Sequence, residues 1–87
     1  MDGAATPMSR LPAPERRRVS NERIAIAARA HRFDEATAVP FICECREDEC
    51  GELVRLALGR FAEMRSLGRP LLAPGHTPFV PVILRGA

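Results

Sequence analysis

Residues Phe41 to Gly51 read Phe-Ile-Cys-Glu-Cys-Arg-Glu-Asp-Glu-Cys-Gly, and the three cysteines in this stretch decide how the rest of the chain is read. Cys43 and Cys45 alternate along what reads as a strand end, so their side chains share one face. The polar residues Arg46, Glu47, Asp48 and Glu49 then make a loop that returns Cys50 toward them. Such a knuckle offers three sulfurs to one tetrahedral ion, and Cys₃His is a common set for structural zinc. The chain has two histidines. His76 follows Pro74-Gly75, a strong turn signal, at the end of a predicted strand. It is preferred as the fourth ligand over His31 or an acidic side chain.

Working outward, Val39 to Cys43 predicts a short strand leading into the knuckle. Leu53 to Leu58 predicts its antiparallel partner, with Val54, Leu56 and Leu58 on one face. Upstream, Val19, Ile26, Ala30 and Phe33, with Ala27 beside them, recur at helical spacing and predict an amphipathic helix. It should start between Glu15 and Ser20 and end near Phe33 to Asp34, because Pro40 disfavours helical backbone at Val39. Downstream, a second helix is expected from about Arg60 to Leu67, lined by Phe61, Met64 and Leu67, with Gly59 to cap its start and Gly68 to end it. Leu71 to Ala73 reads as a third strand. Phe79 to Leu84 reads as a last one, confined to an edge by Pro78 and Pro81. Met1 to Pro14 reads as a disordered tail. The expected fold is therefore α+β: a single zinc-stabilised domain over residues 15–87, with an N-terminal amphipathic helix, a short antiparallel sheet carrying the Cys-x-Cys-x₄-Cys knuckle, and a second short helix.

Size makes a metal thermodynamically useful. The chain has 87 residues, four phenylalanines and neither tryptophan nor tyrosine. A core drawn from roughly 70 ordered residues barely offsets chain entropy, and domains of that size commonly carry a disulfide, a metal or a partner subunit. Binding of zinc by small finger-type sites contributes on the order of 10 kcal/mol, which becomes folding free energy. One structural zinc ion is the expected cofactor. Three alternatives compete with it. Free cysteines pack as small hydrophobes, but these alternate with charged residues. A redox pair is disfavoured by the absence of Cys-x-x-Cys and by nearby acids, expected to raise the thiol pKa values. An iron–sulfur cluster would need His76 as well, a less usual set.

Charge is segregated behind a net value of +2. Seven arginines lie between Arg10 and Arg32 against Glu15 and Glu22, and seven acids lie between Asp34 and Glu52 against Arg46 alone. Every basic residue is arginine and alanine is equally frequent, as codon bias in a GC-rich genome produces. No apolar run approaches the roughly 20 residues needed to span a bilayer. Met1 to Arg10 lacks the apolar stretch of a secretory signal. The expected location is the cytoplasm, where clustered thiols point to metal or redox chemistry rather than disulfides.

Residues Phe41-Ile42-Cys43-Glu44-Cys45, Cys50, Leu56-Ala57-Leu58, Phe61 with Arg65, and Pro74-Gly75-His76 together resemble a family of short bacterial proteins abundant in GC-rich genomes. That family shares a Phe-Leu-Cys-Glu-Cys-x₄-Cys core closed by Pro-Gly-His, and Asn21-Glu22-Arg23-Ile24 resembles its lead-in helix. The resemblance implies that His76 belongs with the three cysteines, and it implies no biochemical activity. Gly59 stands where the family places a capping threonine, Phe61 stands where it has tyrosine, and the charged C-terminal segment is shortened.

Three function classes follow. The first is a regulatory or adaptor protein acting on a protein partner, with transcription machinery as a destination by analogy alone. Its contact residues would be Phe79, Val80, Val82, Ile83 and Leu84, an uncharged edge-like segment suited to strand addition. The second is nucleic-acid binding through Arg16, Arg17, Arg18 and Arg23 on the arginine-rich helix, against which stand a modest net charge and few aromatics. The third is an enzyme, either a thiol redox protein or another catalyst. No histidine pair or carboxylate is spaced for a hydrolytic metal, no Gly-rich phosphate loop exists, and Ser20 and Ser66 lack a histidine base nearby in sequence. Neither catalysis, a small-molecule substrate nor membrane association is expected.

Overall fold

The computed structural model describes residues 11–79. In order along the chain come α1 (Ala13–Ala30), β1 (Ala38–Ile42), β2 (Leu53–Ala57) and α2 (Leu58–Ser66). The fold is α+β, with an N-terminal helix, a two-stranded antiparallel sheet bearing the cysteines, and a second helix. No helix among the described residues is long and apolar enough to cross a membrane.

Local sequence explains the helix ends. A proline in the first turn of α1 costs no hydrogen bond there, while Glu15 in that turn and Arg29 in the last complement the helix dipole. The helix starts at Ala13, so Ala13 and Pro14 are buried helical residues rather than tail, and residues 1–10 of the expected tail lie outside the described region. At the other end the Phe33 N–H reaches back to Ala28 O at 3.0 Å around Arg32, which takes the left-handed conformation (φ 64°) usually left to glycine. Gly68 plays that part for α2, with φ 71° and an Arg69 N–H to Met64 O bond of 2.9 Å.

Gly59, expected as a cap, is instead inside α2, whose N-cap position is Ala57. The first free N–H groups of α2 are satisfied from outside the helix: Leu58 donates to Thr37 O at 3.3 Å and Gly59 to Glu35 O at 2.9 Å. A Cβ at residue 59 would lie 3.4 Å from that Glu35 oxygen, in van der Waals contact with the loop.

β1 and β2 pair in one register, Ala38 opposite Ala57 through Ile42 opposite Leu53, and the ladder continues with Cys43 N–H donating to Glu52 O at 3.0 Å. The knuckle is thus the loop of a hairpin. Val39 and Phe41 point inward while Ala38 and Pro40 face solvent, the alternation expected of a sheet buried on one face. The core gathers Ala25, Ala28, Val39, Phe41, Leu58, Phe61 and Leu71. The rings of Phe41 and Phe61 stack at 4.5 Å, and the Arg65 guanidinium lies 4.8 Å from the Phe61 centroid.

The packing face of α1 differs from the expected stripe. Ile26 is 67% exposed and Phe33 46%, and Ala27 and Ala30 face solvent. The inward face consists of Pro14, Asn21, Ala25 and Ala28. Two alanines let the helix approach the sheet closely, and the buried amide of Asn21 replaces a hydrophobic contact with hydrogen bonds. Leu67, expected to line α2, is 62% exposed because the helix has already ended at Ser66.

Residues Leu71 to Ala73 run beside the knuckle but are not a strand, since side chains take their backbone donors. Leu71 N–H bonds Glu44 Oε1 at 3.1 Å and Ala73 N–H bonds Cys43 Sγ at 3.2 Å, so no ladder forms. Farther along, Arg46 N–H donates to Thr77 O at 3.0 Å, and Cys45 and Pro78 make an isolated antiparallel bridge.

Candidate metal centre

Three elements deliver the four side chains. The hairpin places Cys43 and Cys45 at its exit, both fully buried. The loop turns back through a Cys50 N–H to Glu47 O bond of 3.2 Å, leaving Cys50 half-buried. His76 arrives from the far side on a turn spanning Ala73 to His76, closed by a 3.0 Å bond from His76 N–H to Ala73 O. Pro74 and Gly75 (φ 82°) occupy its centre, as a type II turn requires.

One donor atom from each of Cys43, Cys45, Cys50 and His76 lies within 4.8 Å of all the others. His76 Nδ1 is 3.4 Å from Cys43 Sγ and 3.5 Å from Cys50 Sγ. A tetrahedral ion with Zn–S of about 2.3 Å and Zn–N of about 2.0 Å sets sulfur–nitrogen edges of about 3.5 Å. The Cys43 and Cys50 sulfurs stand close to that spacing from His76 Nδ1, and three thiols with one imidazole form a donor set able to hold one metal ion. His31 is exposed just beyond α1 and takes no part.

The two buried thiols differ electrostatically. Burial pushes the Cys43 thiol up, against hydrogen bonds from the Ala73 and Cys45 backbone that favour its thiolate. Burial acts upward on Cys45 too, but contact with His76, then the Glu47 backbone and the neighbouring thiols, brings it down to about 7. The acids of the knuckle do not set these shifts, contrary to the sequence expectation: imidazole and backbone donors do.

Glu44, between two of the cysteines, turns to the opposite side and is 4% exposed. Its Oε2 accepts from Asn21 Nδ2 at 2.7 Å and from Arg65 Nη2, and its Oε1 accepts from Arg65 Nη1 at 3.2 Å and from Leu71 N–H. Arg65 also donates to Glu22. Burial opposes the Arg65 charge, but the bonds to Glu44 and Glu22 outweigh it and hold its pKa above the usual arginine value. Among the described residues no buried side-chain nitrogen or oxygen lacks a partner. Hydropathy alone gives no hint of this network. A carboxylate between two cysteines, directly after the apolar pair Phe41-Ile42, was the available signal.

The arginines expected to face nucleic acid differ in their surroundings. Arg17 Nη1 donates to Cys45 O at 3.1 Å, and its Nη2 to Glu47 O at 2.8 Å and Asp48 O at 2.6 Å. Arg16 bonds Leu11 O, while Arg18 and Arg23 are exposed. Phe79 is half-buried against a cleft of about 260 Å³ that Pro14, Arg18, Arg69 and Pro70 also line. Val80, Val82, Ile83 and Leu84, expected to bind a partner, lie outside the described residues. Compared with known protein families, curated proteins and solved structures, the chain matches none.

Proposed function

We propose that Cys43, Cys45, Cys50 and His76 hold one structural zinc ion, and that the domain so stabilised is a small regulatory or adaptor module that binds a protein partner. The observation that carries the metal half is the mutual approach of four donor atoms within 4.8 Å. Zinc suits this set because it takes thiolate and imidazole ligands tetrahedrally, and four protein ligands leave no open position for substrate or water. The family resemblance of the knuckle and of Pro74-Gly75-His76 supports the same ligand set.

The adaptor half is supported by Ile26 and Phe33, large apolar side chains exposed at and just beyond the outer face of α1. Transcription machinery stays a destination by analogy. Nucleic-acid binding is the weaker reading because Arg17, central to the basic triplet, is already bound to backbone carbonyls. A thiol redox role draws on the Cys45 value near 7, but that sulfur is fully buried.

The test is purification under reducing conditions without added metal, followed by elemental analysis and X-ray absorption. The expected result is one zinc per chain in a three-sulfur, one-nitrogen shell. Metal-free, folded protein overturns the metal half. For the adaptor half, a protein recovered with the tagged chain from its host should be lost in the Ile26→Glu, Phe33→Glu double variant while zinc is retained. Recovery insensitive to that change overturns the surface assignment.

A further inference from the structure

Arg17 stands on α1 one helical turn before Asn21, on the same face, and its guanidinium spans the knuckle from outside. All three of its acceptors, the carbonyls of Cys45, Glu47 and Asp48, belong to the short loop between the second and third cysteines. Glu47 O is shared: it takes Arg17 Nη2 at 2.8 Å and the Cys50 N–H at 3.2 Å. Arg17 therefore grips the same peptide group that turns Cys50 back toward the cluster. A planar fork that donates from two nitrogens in fixed directions suits this task, and a lysine ammonium does not reproduce it.

Charge gives the contact a second role. Three thiolates and one neutral imidazole around a dication carry a net charge of −1. The nearby loop adds Glu47, Asp48 and Glu49, all exposed. Arg46 is exposed too, its backbone N–H engaged with Thr77. Arg17 is the cation whose guanidinium bonds the loop directly, through three carbonyls. Groups outside the ligand shell that orient ligands or balance their charge commonly set metal affinity.

We infer that Arg17 is a positioning residue of the metal centre, which presets the Cys45–Cys50 loop and offsets the anionic charge of the loaded site. The inference rests on the metal reading above, and it assigns Arg17 to the protein's own metal loop rather than to an external polyanion.

The test compares wild type with Arg17→Gln, Arg17→Lys and the control Arg29→Gln, which breaks an exposed pair with Glu35 elsewhere on α1. Affinity for Zn²⁺ is read by competition with a chromophoric chelator, and ligand identity from the absorption spectrum of the Co²⁺-loaded protein. Arg17→Gln should lower affinity by about 10- to 100-fold with the cobalt spectrum of an S₃N site intact. Arg17→Lys should fall between it and wild type, and Arg29→Gln should match wild type. If Arg17→Gln does not fold, the lysine variant decides by the same comparison. Affinity of the Arg17 variants equal to wild type, or an equal loss in Arg29→Gln, overturns the inference. A wild type that binds neither ion overturns the metal reading instead.

Discussion

The side chain of Asn21 pairs with the backbone of Ile42 as a neighbouring strand would: Nδ2 donates to Ile42 O at 2.8 Å, and Ile42 N–H donates to Oδ1 at 2.8 Å. Ile42 directly precedes Cys43, and the same amide nitrogen also bonds Glu44. One helical residue thus completes the open edge of β1 and fixes the backbone where the first two cysteines begin. Asn21 is fully buried, and its bond to Glu44 is shielded from water.

Replacing Asn21 by leucine should therefore cost about 3 kcal/mol, because the Ile42 N–H, the Ile42 carbonyl and the buried Glu44 Oε2 each lose a hydrogen-bond partner. Denaturant unfolding of the metal-loaded protein measures this. A loss no larger than that of an exposed substitution such as Arg23→Gln would show that the pairing is not maintained in solution.

The Glu44–Arg65 pair should be strongly non-additive. Removing Arg65 leaves the Glu44 carboxylate buried without a cation, at about 3–5 kcal/mol. Removing Glu44 costs less, because Arg65 keeps its pair with Glu22. The double variant Glu44→Leu, Arg65→Leu removes both charges and should cost much less than the sum of the singles. The cycle is read from unfolding free energies, and additive losses would contradict the direct contact.

Much of the knuckle was legible in sequence because ligand type and spacing are local properties: Cys43, Cys45 and Cys50 lie within one hairpin loop, and Pro74-Gly75 announces the turn that delivers His76. The strand pair was legible for the same reason, since alternation over five residues is enough to define a buried face. The face of α1 was not. Its inward residues are Pro14, Asn21, Ala25 and Ala28, and hydropathy ranks them below Ile26 and Phe33, which face water. Leu71 to Ala73 was misread because propensity is blind to a carboxylate and a sulfur taking backbone donors that a strand would need.

Chelation of the ion should unfold the domain. Dialysis against a strong zinc chelator under reducing conditions should collapse the chemical-shift dispersion, and Cys50→Ser should behave likewise without chelator. Alkylation follows the same logic: Cys43, Cys45 and Cys50 should all become reactive once metal is withdrawn and the fold is lost, whereas the loaded protein resists. Native-like dispersion in fully stripped protein would contradict a structural role for the ion.

Proton release should accompany loading. Burial holds the Cys43 thiol above its ordinary value. At Cys45 burial is outweighed by His76 and backbone donors, giving about 7 against 9.0 unperturbed. For Cys45 the folded pKa is the depressed one, so its contribution to the native arrangement is complete above pH 9 and fades as pH falls through about 7. Metal binds the thiolate, so loading at pH 7 expels the remaining thiol protons and apparent affinity climbs as pH rises. Calorimetry in buffers of different ionisation enthalpy counts those protons, and the count should fall between pH 7 and pH 9.

Cys50 and His76 stand at opposite ends of the stretch that contains β2 and α2. The proposed ion, shared between them, would convert that stretch into a closed ring, a topological tie that restricts the denatured ensemble much as a disulfide does. The second half of the domain then cannot peel from the first while the ring is intact. Persistence of the fold becomes a matter of how slowly the tie opens, and the lifetime of the native state should track the off-rate of the metal more closely than the strength of its small aromatic core.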